Sequence, residues 1–421
     1  MVFDLLKFFR CKKANGKMLF ALLDKDLFPG VERTIFIDHL STKATNSIES
    51  KVYDLKFFLD MMSHMHINIE RAVQKKEYPA AAFIRLYIEA SKFENRQAKD
   101  FICSRAGREQ RVTALTYTNK QILDIQHKRS VFKPVSTTTR NRRLDIAREY
   151  LNFLNNLHEK TQNITNYREF ENIIQSLKIA RSRRSAIRDS MLSLDKAINK
   201  DTYIKLLEII EPRHSENPFK SCKWRNQLII SIILWGGIRR SSCAKLKISD
   251  FDFTGDCNLV KITRTPDDIS DPRRRVPAQK TRAHRMVLPS ELMLEIKNYY
   301  EISRKRYLYS REHEFIFITE KKGKYPAGFP LSANSINKVF ERLSDALGQH
   351  IHPHLLRHQW HSPFEAMCKE LGLSNDEREK IRIEAMGWAI DSKMHLIYNQ
   401  RHYVSKMQEA IIKHSKRIMH G

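Results

Sequence analysis

The sequence predicts a mainly α-helical protein with a small antiparallel β-sheet, and three observations lead to this fold class. Long stretches repeat apolar residues at spacings of three and four, which is typical of amphipathic helices. Three short runs in the second half, "KLKISDFDF", "DCNLVKITRT" and "RAHRMVLP", have the composition of strands. The length of 421 residues suggests two or three domains, and 41% hydrophobic residues are enough for ordinary packed cores.

The first helical region is predicted to begin near residue 41. Residues 1–40 mix short apolar runs with turn signals such as "FPG", and we interpret them as an N-terminal extension of unclear role. Ser41 or Thr42 can then cap a helix. The apolar positions of this helix are Ile48, Val52, Leu55 and Leu59.

A second clear helix is "STTTRNRRLDIAREYLNFLNNL" at 136–157. Its apolar stripe consists of Leu144, Ala147, Leu151, Leu154 and Leu157. Arg140, Arg142 and Arg143 lie at its start, where we predict contacts with DNA. The runs "AAAFIRLYIEASKF" and "TNKQILDIQHKR" are also predicted to be helical. Residues 41–165 are therefore predicted to be a helical DNA-binding domain.

Residues 166–198 are predicted to be a basic linker between two domains. The segment "KIARSRRSAIRDS" at 178–190 contains Arg181, Arg183 and Arg184 but little apolar patterning. These arginines suit a chain that follows a phosphate backbone. An exposed helix face is the alternative interpretation.

Residues 199–421 are predicted to form the second domain. Asp201 can cap its first helix, and the apolar segment 224–235 reads as a buried helix. The strand-like runs follow, and the long basic hairpin "PDDISDPRRRVPAQK" joins the last two of them. "EFIFIT" is a further short strand, and the chain from Leu331 onward is mostly helical.

The charge balance favours a polyanionic partner. The chain has 75 Lys+Arg against 48 Asp+Glu, a formal net charge of +27. Nucleic acid is the first candidate and a membrane surface the second, ahead of a protein that is merely basic. The longest apolar run, "LIISIILWGGI", is shorter than the roughly 20 residues of a membrane span. Six cysteines without a C-x-x-C pair are expected to be reduced thiols. We expect a cytoplasmic, nucleoid-associated protein that binds double-stranded DNA.

The stretch "HIHPHLLRHQWH" at 350–361 contains five histidines and raises the question of a metal site. His354 and His358 are four residues apart and share a helix face, as two zinc ligands do. However, the run lacks the glutamate of H-E-x-x-H, and Arg357 places a permanent cation beside the site. A structural histidine cluster is a second interpretation.

A third interpretation pairs a histidine with the arginine. His354 and Arg357 have the H-x-x-R spacing, one helical turn apart. Such a pair suits a phosphodiester, because a guanidinium binds two phosphate oxygens while an imidazole transfers a proton. We therefore predict no metal and no cofactor at this site.

Five segments, in this order, resemble the motifs of the tyrosine recombinases, the phage integrase family. "GGIRRSSCAKL" is similar to their first arginine box, with Ser242 where an acidic residue is usual. "QKTRAHRMVLP" is similar to their β-hairpin lysine segment, and "HPHLLRH" to their second arginine box. "MGW" at 386–388 resembles the L-G-H/W element, and "HLIYNQ" then supplies a tyrosine ten residues after Trp388. The helix "TTTRNRRLDIAREYLNFL" also resembles their last core-binding helix, so the resemblance covers most of residues 40–400.

The resemblance implies a fold and a set of catalytic roles. The fold is a helical core-binding (SAM-like) domain followed by an α/β catalytic domain, which together clamp DNA. By position, Arg239 and Arg357 bind the scissile phosphate, and His354 is the general acid/base. Lys280 protonates the departing 5′ oxygen, although Arg273, Arg274, Arg275 and Arg282 make its hairpin strongly basic. Arg282 is predicted to contact DNA.

The remaining roles fall near the C-terminal end of the chain. By the same resemblance, Trp388 hydrogen-bonds the phosphate through its indole N–H, with packing in the core as the alternative. His358 supports the site. Tyr398 attacks the phosphorus, and its position relative to "MGW" favours it over Tyr403. A phenol with a pKa of about 10 needs a positive field to attack near neutral pH.

The function implied is that of a site-specific recombinase. It cuts and rejoins DNA through a covalent 3′-phosphotyrosyl intermediate, for integration, excision or transposition of a mobile element. Partners implied are a homo-tetramer on paired sites and accessory proteins, with the amphipathic tail "VSKMQEAIIKHSKRIMHG" docking onto a neighbouring protomer. A type IB topoisomerase, a telomere resolvase and a catalytically silent DNA-binding protein remain alternatives.

Overall fold

The chain divides into two compact units, residues 1–184 and 185–421. Each unit has its own large cluster of buried apolar side chains. The computed structural model describes residues 6–14, 17–40, 45–109, 133–158, 164–181, 198–254, 258–265, 268–277, 279 and 281–388. Within these parts of the chain, no helix combines the length and apolar composition that a membrane crossing requires.

The first unit begins with an antiparallel hairpin that the sequence did not predict. Strand β1 (Lys7–Lys12) pairs with β2 (Met18–Leu23), and helix α1 (Val31–His39) follows. Phe20 and Leu22 of the hairpin and Phe36 of α1 belong to the same buried core as the helices after them. Residues 6–14 and 17–40 are therefore part of the first unit, and the predicted boundary at residue 40 is not observed.

The rest of the first unit is helical, as predicted. Its helices are α2 (Thr45–His64), α3 (Ile69–Lys75), α4 (Ala81–Ala90), α5 (Asn95–Glu109), α6 (Thr137–Leu157) and α7 (Ile164–Ile179). Ser136 caps α6 by accepting from the Thr139 amide, and the predicted stripe is buried except at Leu157, which is exposed. The predicted caps Ser41 and Thr42 and the predicted helix "TNKQILDIQHKR" lie outside the described residues.

The predicted linker is wrong over its first part. Residues 166–179 belong to helix α7, and Phe170, Ile173 and Leu177 of this helix are buried in the core of the first unit. The sequence signal was available, because these residues repeat at spacings of three and four. Only residues beyond this helix remain candidates for a linker, and 182–197 lie outside the described residues.

The second unit is built around one apolar helix. Its helices are α8 (Lys200–Ile209), α9 (Lys223–Gly236), α10 (Arg240–Cys243), α11 (Ser290–Asn298), α12 (Ala333–Leu347), α13 (Pro353–Gln359), α14 (His361–Glu370) and α15 (Asn375–Met386). Helix α9 confirms the predicted buried helix: Ile229, Ile230 and Ile233 have no exposed surface. Asn199, rather than Asp201, caps α8 by accepting from the Thr202 amide.

Two of the three predicted strands are present. Strands β3 (Leu259–Ile262) and β4 (His284–Val287) pair antiparallel, with Val260 opposite Met286 in the core. The run "KLKISDFDF" instead forms a short 3₁₀ helix, Ile248–Asp250. The Asp250 carboxylate accepts from the Lys247 amide, a local cap that competes with a strand ladder. The run "EFIFIT" makes only isolated bridges. The mainly α class with small antiparallel sheets is confirmed.

Candidate active site

The first arginine box follows the end of the central helix. Gly237 ends α9 with a φ of +58°, and a side chain there would meet Met386 Cε at 2.5 Å and Trp360 at 3.1 Å. Glycine is therefore required by both its backbone and its neighbours. The buried Ile238 follows, and the half-buried Arg239 stands at the start of α10.

The histidine-rich segment forms helix α13. His352 is the N-cap and accepts from the Leu355 amide, and Pro353 occupies the first turn. Leu355 and Leu356 face the core. His354 is exposed and His358 is half-buried, and their rings meet edge to face with centroids 4.3 Å apart. Among the residues that the structure describes, no group of three or more His, Cys, Asp or Glu side chains could hold a metal ion.

Arg357 joins three of the motif segments. Its Nη1 donates to the carbonyl of Gly237 at 2.7 Å, and its Nη2 donates to the carbonyl of Met386 at 3.1 Å. The side chain is only 2% exposed. Charge-assisted bonds to two carbonyls fix the plane of the guanidinium, because its N–H groups form a rigid fork. Residues 237–239, 357 and 386–388 are thus brought to one place in the second unit.

Trp388 follows directly on helix α15. A capping box of Ser374 and Glu377 starts this helix, and Gly387, with a φ of +58°, ends it. The Trp388 side chain is 4% exposed and stacks on His361, with ring centroids 5.7 Å apart. Met386 packs in the same small cluster. The indole therefore contributes to packing, and its predicted bond to phosphate stays a prediction.

The lysine hairpin is anchored by buried polar contacts. Lys280 lies outside the described residues, but Gln279 before it accepts a hydrogen bond from the Ser242 hydroxyl. Ser242 thus connects the first arginine box to the hairpin. Earlier in the hairpin, the buried Arg273 forms an ion pair with Asp271. It also donates to the carbonyls of Ala244 and Leu331. Arg273 is therefore a structural residue of the hairpin.

Two cations that follow Arg239 in the chain are withdrawn from water. Burial lowers the pKa of Lys245, while Asp268 and Asp271 oppose that shift. Burial and the Arg275 guanidinium likewise lower the pKa of Arg240. A buried cation favours an anionic partner, because the partner replaces lost hydration.

Other predicted site residues lie beyond what the structure describes. They are Tyr398, Arg183, Arg184 and the whole tail from residue 389 onward.

Three of the arginines predicted to contact DNA lie on helices α6 and α7 or just after them. Arg142 and Arg181 line a groove of about 850 Å³ together with Lys51 and Lys178, and Arg140 is half-buried nearby on α6. Each of the first two has an acidic partner: Arg142 pairs with Asp54, and Arg181 lies 3.2 Å from Asp145. Their contact with DNA stays a prediction.

The structure gives Arg143 a packing role. Its side chain is 5% exposed, and its nitrogens donate to the carbonyls of Ser91 and Phe93 and to Asn95 Oδ1. Its guanidinium also lies 3.7 Å from the centre of the Phe57 ring. These contacts hold parts of the helical unit together, and the predicted contact of Arg143 with DNA stays a prediction.

His284 is a site residue that sequence reasoning missed. It lies in β4, is buried, and bonds the carbonyl of Arg282 through Nδ1 at 3.0 Å. Its Nε2 has no hydrogen-bond partner in the described part of the chain. Burial lowers its pKa, and the nearby Arg357 acts in the same direction. The alternation in "RAHRMVLP" was an available signal, since His284 shares the inward face with Met286.

The second unit is similar in sequence to a known family. Residues 196–364 match the model of the phage integrase family. This segment contains Arg239, His354, Arg357 and the hairpin.

Curated relatives extend the match over about half of the chain. The TnP I resolvase of Bacillus thuringiensis is 24% identical over 50% of this chain and 66% of its own length. Transposase A from transposon Tn554 of Staphylococcus aureus is 24% identical over 56% of this chain and 60% of its own length. The match thus spans less than two thirds of these relatives.

Solved structures of recombinases are also similar to this chain. The XerA recombinase is 12% identical, covers 89% of this chain and 96% of its own, and gives a TM-score of 0.34. The Tn1549 transposon integrase in complex with transposon right end DNA is 15% identical, covers 70% and 92%, and gives a TM-score of 0.35.

Proposed function

We propose that this protein is a site-specific tyrosine recombinase that cuts and rejoins double-stranded DNA of a mobile element. One observation carries the proposal: the Arg357 guanidinium bonds the carbonyls of both Gly237 and Met386. These bonds bring the two arginine boxes together with the segment that leads to the tyrosine. The names of the relatives, a resolvase and a transposase, support the same reaction class.

The cations act on the phosphate. Arg239 and Arg357 bind the non-bridging oxygens of the scissile phosphodiester and stabilise the charge that builds in the transition state. Because Arg357 is 2% exposed, its phosphate contact requires the residues that cover it to move when DNA binds. The bonds to Gly237 and Met386 then fix the direction from which the guanidinium approaches.

The reaction proceeds in two balanced transfers. The Tyr398 oxygen attacks phosphorus, the bond from phosphorus to the 5′ oxygen breaks, and Lys280 gives that oxygen a proton. His354, supported by His358, accepts the phenol proton, and its exposed position on α13 suits this task. A 5′ hydroxyl of a second strand then attacks phosphorus and gives its proton to the neutral Lys280. The bond from phosphorus to the tyrosine oxygen breaks, and His354 returns the proton to Tyr398.

The proposed reaction needs no metal and no nucleotide, because the phosphotyrosyl bond conserves the energy of the phosphodiester. We further propose that the protein acts as a homo-tetramer on two paired sites at the nucleoid. The basic groove lined by Arg142 and Arg181 is proposed to contact the DNA backbone beside the cleavage point.

Trapping the covalent intermediate tests the proposal. Duplexes that the full chain selects from a randomised pool are nicked next to the cleavage point, so that the cut fragment diffuses away. The wild-type chain is expected to form a covalent adduct in denaturing gels, with or without EDTA. Tyr398→Phe should abolish the adduct while DNA binding survives, and Tyr403→Phe should retain it.

Several results would contradict the proposal. If the selected DNA binds but never gives an adduct, the protein is a catalytically silent DNA-binding protein. An adduct that persists in Tyr398→Phe would assign the nucleophile elsewhere, and strong inhibition by EDTA would refute a metal-independent reaction. Relaxation of supercoiled DNA without a specific site would indicate a type IB topoisomerase, and hairpin ends would indicate a telomere resolvase.

A further inference from the structure

Arg282, which is half-buried, contacts the end of helix α15. Its backbone N–H donates to the carbonyl of Gly387 at 3.1 Å, and its Nε donates to the carbonyl of Trp388 at 2.8 Å. Its Nη2 pairs with the carboxylate of Glu384. One residue thus makes three contacts with a single turn of chain about a hundred positions later in the sequence.

His284, the first residue of β4 and two positions after Arg282, closes the other side of this turn. A side chain at Gly387 would lie 2.3 Å from His284 Nδ1, so the imidazole packs directly against the glycine backbone. The carbonyl of Met386, one residue earlier, accepts a hydrogen bond from Arg357. Residues 384–388 are therefore held by the hairpin on one side and by the second arginine box on the other.

This arrangement differs from a DNA contact. A guanidinium binds phosphate through two parallel N–H groups. In Arg282 the Nε and Nη2 groups, which form one such pair, already donate to Trp388 and Glu384. The described contacts therefore give this fork of Arg282 protein partners, which a DNA phosphate at the same two groups would have to displace.

We propose that Arg282 is a positioning residue that couples the lysine hairpin to the chain segment leading to the tyrosine nucleophile. The inference rests on the proposed function. Arg282 follows Lys280 by two positions, and Trp388 precedes Tyr398 by ten. An acid and a nucleophile that act on one phosphate must keep a fixed separation. A misplacement of about 1 Å in such a pair costs roughly 100-fold in rate.

The decisive comparison is Arg282→Gln with Arg285→Gln. Both changes remove one positive charge from the same stretch of the hairpin, but Arg285 is exposed on β4. At saturating nicked DNA, Arg282→Gln is expected to slow adduct formation roughly 10- to 100-fold while its DNA affinity stays near wild type. Arg285→Gln is expected to keep the wild-type rate.

Two further variants separate positioning from DNA contact. Glu384→Gln removes only the exposed partner of Arg282, so it should fold normally and slow adduct formation by a smaller factor. If Arg282 instead contacted DNA, Glu384→Gln would strengthen binding by removing a negative charge. Arg282→Lys should recover part of the rate, because an ammonium can reach one of the two partners but lacks the fork.

A measurement without DNA keeps the inference testable even if no adduct forms. Amide hydrogen exchange at Gly387 and Trp388 should be faster in Arg282→Gln than in Arg285→Gln, since the turn loses its tie to the hairpin. Equal exchange in the two variants would overturn the inference. So would a wild-type rate in Arg282→Gln together with a DNA-binding salt slope reduced by about one. An absent wild-type adduct with the expected exchange pattern would overturn the proposed function alone.

Discussion

Arg143 and Arg357 are both buried arginines, one in each unit of the chain, and they differ in what they connect. Arg143 donates to Ser91, Phe93 and Asn95, all within one short stretch of the helical unit. Arg357 donates to Gly237 and Met386, which stand 120 and 29 positions away. Burial alone therefore does not identify a functional arginine. The arginine that joins separate motif segments is the one proposed for catalysis.

The largest expected effect is a loss of cleavage activity in a variant of Arg357 but not in a variant of Arg143. Arg357→Lys should reduce adduct formation by about 100- to 1000-fold, because a single ammonium cannot replace a preorganised forked donor in the transition state. Arg143→Lys should keep the wild-type rate per folded molecule. Single-turnover cleavage, with the active fraction set by folded protein, measures both. Equal losses in the two variants would contradict the distinction.

The structural role of Arg143 should appear in the stability of the protein. Arg143→Met leaves two buried carbonyls and one amide oxygen without their donor, and the free energy of unfolding should fall by about 2–4 kcal/mol. Urea denaturation of the full chain, followed by far-UV circular dichroism, measures this change. Arg140→Met, on the same helix and only half-buried, is the control and should change stability much less.

Substitution of the glycine that ends α15 should destabilise the protein more than substitution of a similar glycine elsewhere. Gly387 and Gly348 both have a positive φ, +58° and +63°, but only Gly387 has neighbours where a side chain would be. Gly348→Ala should cost about 1 kcal/mol from backbone strain. Gly387→Ala should cost more, since its Cβ would meet His284, and it should also slow cleavage. Thermal denaturation and adduct formation together check the pair.

The buried His284 should make the second unit sensitive to acid. Burial lowers the pKa of His284, Arg357 and Arg282 act in the same direction, and Glu384 opposes them. The unfolded chain then binds the proton more readily than the folded one. The stability from neutral His284 is present above its ordinary value of 6.5 and is lost as pH falls through the lower folded value.

Replacing this histidine should remove part of that pH dependence. His284→Asn is expected to flatten the fall in stability below about pH 6.5 relative to wild type. His313→Asn is a useful comparison, because burial also lowers the pKa of His313 in the same unit. An unchanged pH profile in His284→Asn would show that His284 is not held neutral.

The smallest expected effect concerns the helical unit. Arg181 is partly exposed at the groove and pairs with Asp145, so a phosphate would compete for it with that carboxylate. Arg181→Gln should reduce the salt slope of DNA binding by about one, with no sequence dependence. Asp145→Asn should strengthen binding slightly. Titrations at several salt concentrations measure both, and an unchanged slope in Arg181→Gln would remove it from the proposed contacts.

The parts of the fold that the sequence predicted are those with strong local patterns. Helices α2, α4, α6 and α9 follow from apolar spacing, and the pair β3 and β4 follows from alternation. The predictions differ from the structure where the local pattern is weak or where a charged segment lies beside an apolar one. The N-terminal hairpin reads as short apolar runs until Phe20 and Leu22 meet the helical core. The predicted linker overlaps helix α7, because the arginine-rich segment follows this helix without a clear break in the sequence.

The sequence by itself determined which residue types are available for phosphate chemistry and the order in which their motifs occur. It did so because these motifs are local, and each needs only a short run of chain. The tertiary structure decided which arginines bond to groups of the protein itself and which belong to the proposed active site. Arg143 and Arg282 have the same charge as Arg239 in the sequence, and only folding directs them onto carbonyl and carboxylate groups of the protein itself. A guanidinium binds whichever acceptors the fold brings within its reach.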